Sequence, residues 1–266
     1  MRRCIFCPNP AGNAEHVVAE WLTKSMGRNA QPVIAVAHHE GQIIDQRPPV
    51  LFKGFRTKVV CATCNNGWMS DLENKFKGIV EELVQPRSFD EVETVETLLK
   101  ANSDTIIRWM VKSAIIAEQA SPRSKDLKPI VDERFYNIET MDLAGEGFYL
   151  AAAELAEEGF CAKLEKGVPA FNGGKYHAKL LHKFSLNFSV QLNRLALGVV
   201  CAPDSKFMGY SSHYRLGDGR VCIPMIPGSR VESKSFEMAH IFSSLHEFTS
   251  TFEVYVTEPP VSWEGR

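Results

Sequence analysis

Cys4 and Cys7 stand two residues apart, and so do Cys61 and Cys64. Two such knuckles supply four thiolates, the number a closed tetrahedral zinc site takes, because each short gap lets one tight turn aim both sulfurs inward. Between the pairs lies Glu15-His16, and directly after the second pair come Asn65 and Asn66. A histidine with an ordinary pKa of about 6.5 can take a proton from water near neutral pH. Carboxylate and amide oxygens are the hard ligands that Mg²⁺ prefers. Hydrolysis of a phosphodiester asks for both a base and a cation on the leaving oxygen. Four thiolates hold zinc too fully for it to activate water, so the cysteines are expected to be structural.

Several elements must bring these residues together. Pro8, Asn9, Pro10 and Gly12 impose turns after Cys7, closing the first knuckle. Ala19 to Met26 is expected to be a short helix ending at Gly27. Gln31 to Lys58, with β-branched residues broken by Gly41 and Pro48-Pro49, is read as strands in an irregular hairpin. From Asn65 to Val84 the apolar residues Trp68, Leu72, Phe76, Ile79 and Leu83 recur at helical spacing, with Asn65 or Asn66 placed as N-cap. A cap there adds partial positive charge where a phosphate could sit. Gln85-Pro86 closes the segment, so residues 1–86 are taken as one domain and 87–266 as a second.

The second domain is expected to be helical over 91–120, with a break at Asn102-Ser103-Asp104, Trp109 in the core, and strands over 147–257. Phe184 to Leu192 alternates strictly, and Leu195 to Cys201 is read as its return strand around a turn at Asn193-Arg194. A turn at Gly217-Asp218-Gly219, a helix around 236–245 and a strand over 248–256 complete the pattern. The whole is α+β: a zinc-braced module, a helical segment and a mainly antiparallel α+β domain. His177, His182, His213, His240 and His246 show no ligand spacing, and His38-His39 are read as loop residues.

A chain of 266 residues, 44% hydrophobic and 23% charged, is ordinary for a globular protein. No run approaches the roughly 20 apolar residues of a membrane span, and the start MRRCIFCPNP lacks the apolar core of a signal peptide. A cytoplasmic protein is expected, with no membrane partner. Seven cysteines, four of them in CxxC pairs, fit one metal site in a reducing compartment better than a disulfide framework. Cys161, Cys201 and Cys222 are read as small buried hydrophobes. The net charge of −2 is unevenly spread: residues 1–64 hold eight Lys or Arg against four acids. That asymmetry suits an N-terminal module on a phosphate backbone.

The series Cys4-x2-Cys7, Glu15-His16-Val17, Cys61-x2-Cys64-Asn65-Asn66-Gly67 resembles the HNH endonucleases of the ββα-metal group, in the subclass braced by a four-cysteine zinc. The resemblance covers about residues 1–80. It implies a hairpin and a following helix around one divalent ion, Mg²⁺ or Mn²⁺, with Zn²⁺ as a separate structural staple. His16 is then the general base, Glu15 a metal ligand, and Asn65 a second ligand, a role Asn66 could take in its place. The substrate implied is DNA, with RNA as the alternative, in a setting such as restriction or phage defence. The second domain would select the target, sense a signal, or meet a second copy or partner protein.

Residues 30–64 contain no asparagine, although such enzymes usually place one before the last knuckle. Arg56, Thr57 and Lys58 are the polar residues near that position. The vacancy motivates another reading, a zinc-braced nucleic-acid-binding or adaptor protein in which the nuclease geometry has decayed. A rubredoxin-like iron site is a third reading and leaves Glu15-His16 without a role.

Overall fold

A computed structural model of the chain describes residues 2–27, 32–39, 42–83, 92–120, 131, 133–143, 148–166, 186–201, 209–210 and 254–255. Helices and small antiparallel two-stranded sheets make it an α+β protein. The chain divides into two compact units, Met1–Glu82 with Arg108–Met141, and Leu83–Ile107 with Asp142–Arg266. The chain therefore returns to its N-terminal module after leaving it.

In the first unit the Cys4 knuckle is a tight reversal. The Cys4 N–H donates to Asn9 O (2.8 Å) and the Ala11 N–H to Arg2 O (2.9 Å). Strand β1 (Asn13–His16) follows and pairs antiparallel with β6 (Arg56–Val60), setting Glu15 opposite Thr57 and His16 opposite Arg56. Between them come helix α1 (Glu20–Ser25), then β2 (Pro32–Val33), β3 (Val36–His39), β4 (Gln42–Gln46) and β5 (Val50–Leu51). β3 pairs with β4 and β2 with β5, so the expected irregular hairpin is two nested ribbons, with His38 and His39 on a strand instead of in a loop. Helix α1 ends as expected at Gly27, whose φ of +65° is the left-handed conformation that glycine adopts without a Cβ penalty.

The helix expected from Asn65 onward begins earlier and is interrupted. Helix α2 (Ala62–Cys64) starts inside the second knuckle, where the Cys61 sulfur accepts from the Cys64 N–H at 3.4 Å and takes the N-cap role given to Asn65 or Asn66. Those asparagines fall in a π turn, Asn65–Met69, kinked at Gly67, before helix α3 (Ser70–Leu83). The periodic face survives: Leu72, Phe76, Ile79 and Leu83 are all buried. Helices α4 (Val92–Ala101) and α5 (Ser103–Ala120) meet at the expected break, where the Asn102 side chain donates to Leu98 O at 2.8 Å. Trp109 is buried, as expected.

From Arg108 on, α5 belongs to the first unit. Its Ile116 and Ala120 share one core with Cys4, Val17, Val59, Val60, Cys61, Cys64 and Met69. The Phe76 and Trp109 rings stack at 3.9 Å, and Trp21 meets Phe76 edge-on at 6.2 Å, tying α1, α3 and α5 together.

The second unit is built on β7 (Phe148–Lys166) and β8 (Leu186–Cys201), a long antiparallel pair. Here the expected turn at Asn193-Arg194 is corrected, because β8 runs straight through it and finds its partner in β7. Asn193 adopts a φ of +56° opposite an irregularity between Glu154 and Gly159. Asparagine tolerates the left-handed region, so the signal marked a kink within a strand and not its end. Cys201 is buried as expected, but Cys161 is exposed because β7 beyond the irregularity is uncovered at Glu158, Cys161 and Ala162. Strands β9 (Gly209–Tyr210) and β10 (Val254–Tyr255) pair antiparallel. The turn at 217–219, the helix around 236–245, Cys222 and the five later histidines lie outside the described residues. Among the described residues no helix is long and apolar enough to cross a membrane.

Candidate metal centre and the adjoining histidine site

The two knuckles close on one point. The sulfurs of Cys4, Cys7, Cys61 and Cys64 all lie within 4.8 Å of one another, the one cluster of three or more metal-ligating side chains among the described residues. Cys7 Sγ is 3.5 Å from both Cys61 Sγ and Cys64 Sγ. A zinc tetrahedron with Zn–S bonds of about 2.3 Å has S–S edges of about 3.8 Å, close to these two separations. Burial pushes the Cys7 and Cys64 thiols up. Burial also opposes ionisation of Cys61, but hydrogen bonds from the Cys64 backbone and the neighbouring thiols outweigh it and bring Cys61 down to about 6. A divalent cation relieves this competition by stabilising all four thiolates together.

Around the cysteines the packing also suits anionic sulfur. The Trp68 indole N–H is buried with no oxygen or nitrogen acceptor, and it favours the Cys64 thiolate. Phe6 packs edge-on against the same indole at 5.1 Å. The four cysteines are thus placed to bind a metal ion, and their chemistry is compatible with structural zinc.

Consecutive strand residues leave by opposite faces, and Glu15 and His16 part in this way. His16 turns to the neighbouring strand, where Arg56 Nε donates to its Nε2 at 2.8 Å. Glu20 Oε2 stands 4.0 Å from the same nitrogen, and the other oxygen of that carboxylate, Oε1, is held by Lys24 at 2.9 Å. Burial, then the Arg56 charge, hold the His16 pKa below its ordinary value. The ring is therefore a neutral imidazole at pH 7, with Arg56 and Lys58 exposed along the same strand.

Glu15 turns inward. Its Oε1 is 3.5 Å from Lys112 Nζ, on α5, and that ammonium also pairs with Glu73 of α3. Glu73 is the hub: it accepts from Trp21 Nε1 at 2.7 Å, from Trp109 Nε1 at 2.8 Å and from Lys112. Burial pushes the Glu15 carboxyl up and the Lys112 charge draws it back. Burial opposes the Lys112 ammonium, yet the two carboxylates outweigh that cost and raise its pKa.

The residues singled out in the sequence are thus distributed over three neighbouring places: four cysteines in one cluster, His16 beside Arg56, and Glu15 beside Lys112. Asn65 is half-buried and Asn66 exposed, both in the π turn after the second knuckle. Glu73 and Lys112 escaped the sequence reading, although both carried a signal. Lys112 interrupts the apolar run Met110 to Ile116, and Glu73 lies three residues before Phe76 and four after Met69, both buried. A lone acid and a lone base, each set among apolar helical positions, are candidates for pairing. No family model matches the chain, and no curated protein or solved structure matches it.

Proposed function

We propose that this protein is a metal-dependent endonuclease of the HNH type that hydrolyses phosphodiester bonds of DNA, with His16 as general base. The observation carrying this reading is the hydrogen bond between Arg56 Nε and His16 Nε2 at 2.8 Å, on strands anchored in the cysteine cluster. A neutral imidazole beside an exposed guanidinium suits a reaction in which a phosphate is gripped while water is deprotonated. In the resting protein Arg56 covers the basic nitrogen. An incoming phosphate offers Arg56 a bidentate partner, and the guanidinium that leaves for it uncovers Nε2 for the attacking water.

Glu15 and Asn65 or Asn66 would hold Mg²⁺ or Mn²⁺, which when bound supplies positive charge to the scissile phosphate and leaving oxygen. A zinc ion held by Cys4, Cys7, Cys61 and Cys64 would keep β1, β6 and the helix start in register. The exposed Arg56 and Lys58 line the approach for a polyanion.

The test is plasmid cleavage in Mg²⁺ or Mn²⁺ beside a His16→Ala variant, which should lose about 10²–10⁴-fold in rate while keeping its zinc. Cutting that survives the substitution removes His16 from the mechanism. Because the His16 pKa is held down, kcat/KM should stay flat through neutral pH and fall only as the pH drops well below about 6.5, where the ring gains its proton. Arg56→Met, by removing a neighbouring positive charge, makes protonation easier and should move that falling limb to higher pH. A limb that stays put would clear Arg56 of any influence on the base.

A second reading rests on the Glu15–Lys112 pair, which already supplies a cation to the carboxylate expected to ligate metal. Under it the protein is a zinc-braced nucleic-acid-binding or adaptor protein. DNA retention on the zinc-loaded protein with no cutting in any divalent metal would favour it.

A further inference from the structure

Among the described residues, Ile34, Val50 and Leu51 are the large aliphatic side chains left in solvent, 49%, 39% and 42% exposed, and all three lie on one ribbon. Ile34 directly follows β2, and Val50 and Leu51 form β5, which pairs with β2 at Leu51 opposite Pro32 and Val50 opposite Val33. Pro32, Pro48 and Pro49 are exposed beside them. The Arg47 N–H donates to Ala35 O at 3.0 Å, and beyond it β3 meets β4 at Val36 opposite Gln46. Ile34 and Ala35 thus face Arg47, Pro48 and Pro49, a bulge in which the prolines offer no N–H to a ladder. The bulge discourages a further strand, so the exposed aliphatics call for another kind of partner.

Charge decides which kind. From Gln46 to Lys58 the chain carries Arg47, Lys53, Arg56 and Lys58, all exposed, and no acid. Asp45, at the border, accepts the Gln46 N–H at 2.8 Å. A second copy of this face would meet it with like charge, whereas a polyanion is drawn to it. The ribbon also leads directly to the histidine site. β5 passes into the turn Phe52–Gly54, pinned by buried Phe52, and the Lys53 backbone there hydrogen-bonds the His16 ring. Next to it Phe55 O accepts the Val17 N–H at 3.0 Å. Two residues of chain span about 7 Å at most, so the Leu51 backbone stands within about two base-pair steps of that contact.

We propose that the β2–β5 ribbon is a duplex-DNA contact in which Ile34, Val50 and Leu51 press an apolar wedge against the bases beside the phosphate that Arg56 grips, with Arg47 and Lys53 on the flanking backbone. The proposal rests on DNA as the ligand, which the nuclease and nucleic-acid-binding readings above share, and not on cutting. Aliphatic side chains and prolines suit such a wedge, because they pack on base faces that water otherwise wets and need no hydrogen bond there. The wedge carries no charge and the flanks do, so the two parts answer differently to salt.

The test measures binding of a fluorescent 20-base-pair duplex to the full zinc-loaded chain, with no Mg²⁺ or Mn²⁺ added, across a series of salt concentrations. The triple variant Ile34→Ser, Val50→Ser, Leu51→Ser should keep its zinc and its melting temperature, since the three side chains are exposed, and should lose about tenfold or more in affinity. Its slope of log affinity against log salt should equal the parent's. Lys53→Gln should weaken binding and flatten that slope by about one. A triple variant that binds the duplex like the parent overturns the proposal, whether the ribbon then proves to hold a second copy or an anionic membrane. A loss accompanied by a flatter slope also overturns it, because the ribbon would then act only by placing the cations. If the triple variant loses zinc, Leu51→Ser alone carries the same comparison, and unchanged affinity there is equally fatal.

The wedge and the nuclease reading fail separately. A parent that binds the duplex through the ribbon but cuts no plasmid in any divalent metal sinks the nuclease and leaves the wedge. A parent that cuts, with a triple variant that binds and cuts equally well, sinks the wedge and leaves the nuclease.

Discussion

Replacing Cys61 with serine will strip the metal from the chain and unfold the first unit. Cys61 has three jobs: its sulfur is one of the four that converge, it accepts the Cys64 N–H to start α2, and it is buried against Val59 and Val60. Structural zinc in small modules contributes an apparent 10–16 kcal/mol or so to folding. A whole domain is stable by only about 5–15 kcal/mol. Losing the ion can therefore exceed everything else the unit has to offer. Zinc measured per chain should fall from one to near zero, and hydrogen exchange should show amides of β1 and β6 unprotected. Ala62→Ser, on an exposed neighbouring residue, is the control and should behave as the parent. A Cys61→Ser chain that keeps full zinc and protected strands would falsify the four-sulfur site.

Glu73→Ala should be the most damaging substitution away from the cysteines. It leaves the buried Lys112 ammonium facing Glu15 alone at 3.5 Å, and it strips the acceptor from the indoles of Trp21 and Trp109. Breaking a buried pair by removing one partner costs about 3–5 kcal/mol, chiefly because a charge is left without a counterpart. Denaturant melts should show that loss. The double variant Glu73→Ala, Lys112→Met should be more stable than Glu73→Ala alone, since no naked ammonium remains. If the double variant is no better, the loss comes from packing around Phe76 and not from the stranded charge.

The parts of this architecture encoded by short-range pattern could be read from the chain. The two-residue cysteine gaps need no distant information to point to a metal, and the recurrence of Leu72, Phe76, Ile79 and Leu83 marks a buried helical face. The break near Asn102 was equally plain, because an asparagine amide that bonds back to its own helix is a local event. Cys61 acting as N-cap was hidden, since sulfur is a weak acceptor and the adjoining asparagines advertise themselves more strongly. At Asn193 the letter code was ambiguous: the same preference for positive φ serves a hairpin turn and a kink within a strand, and only the partner strand decides.

The histidine site was legible in part. His16 stood out by its place between the knuckles, but that Arg56 would be its partner depends on the register between strands forty residues apart. The Glu15–Lys112–Glu73 group was invisible for the same reason, since it is assembled from a strand and two helices that only tertiary packing brings together.

The return of α5 to the N-terminal unit has a consequence for how the protein is made. Ile116 and Ala120 pack in the same core as the cysteines, so that core lacks one wall until Ala120 has left the ribosome. The emerging chain must shelter Val59, Val60 and Met69 during that interval. Early capture of zinc by the two knuckles would cross-link the nascent chain before α5 docks onto it.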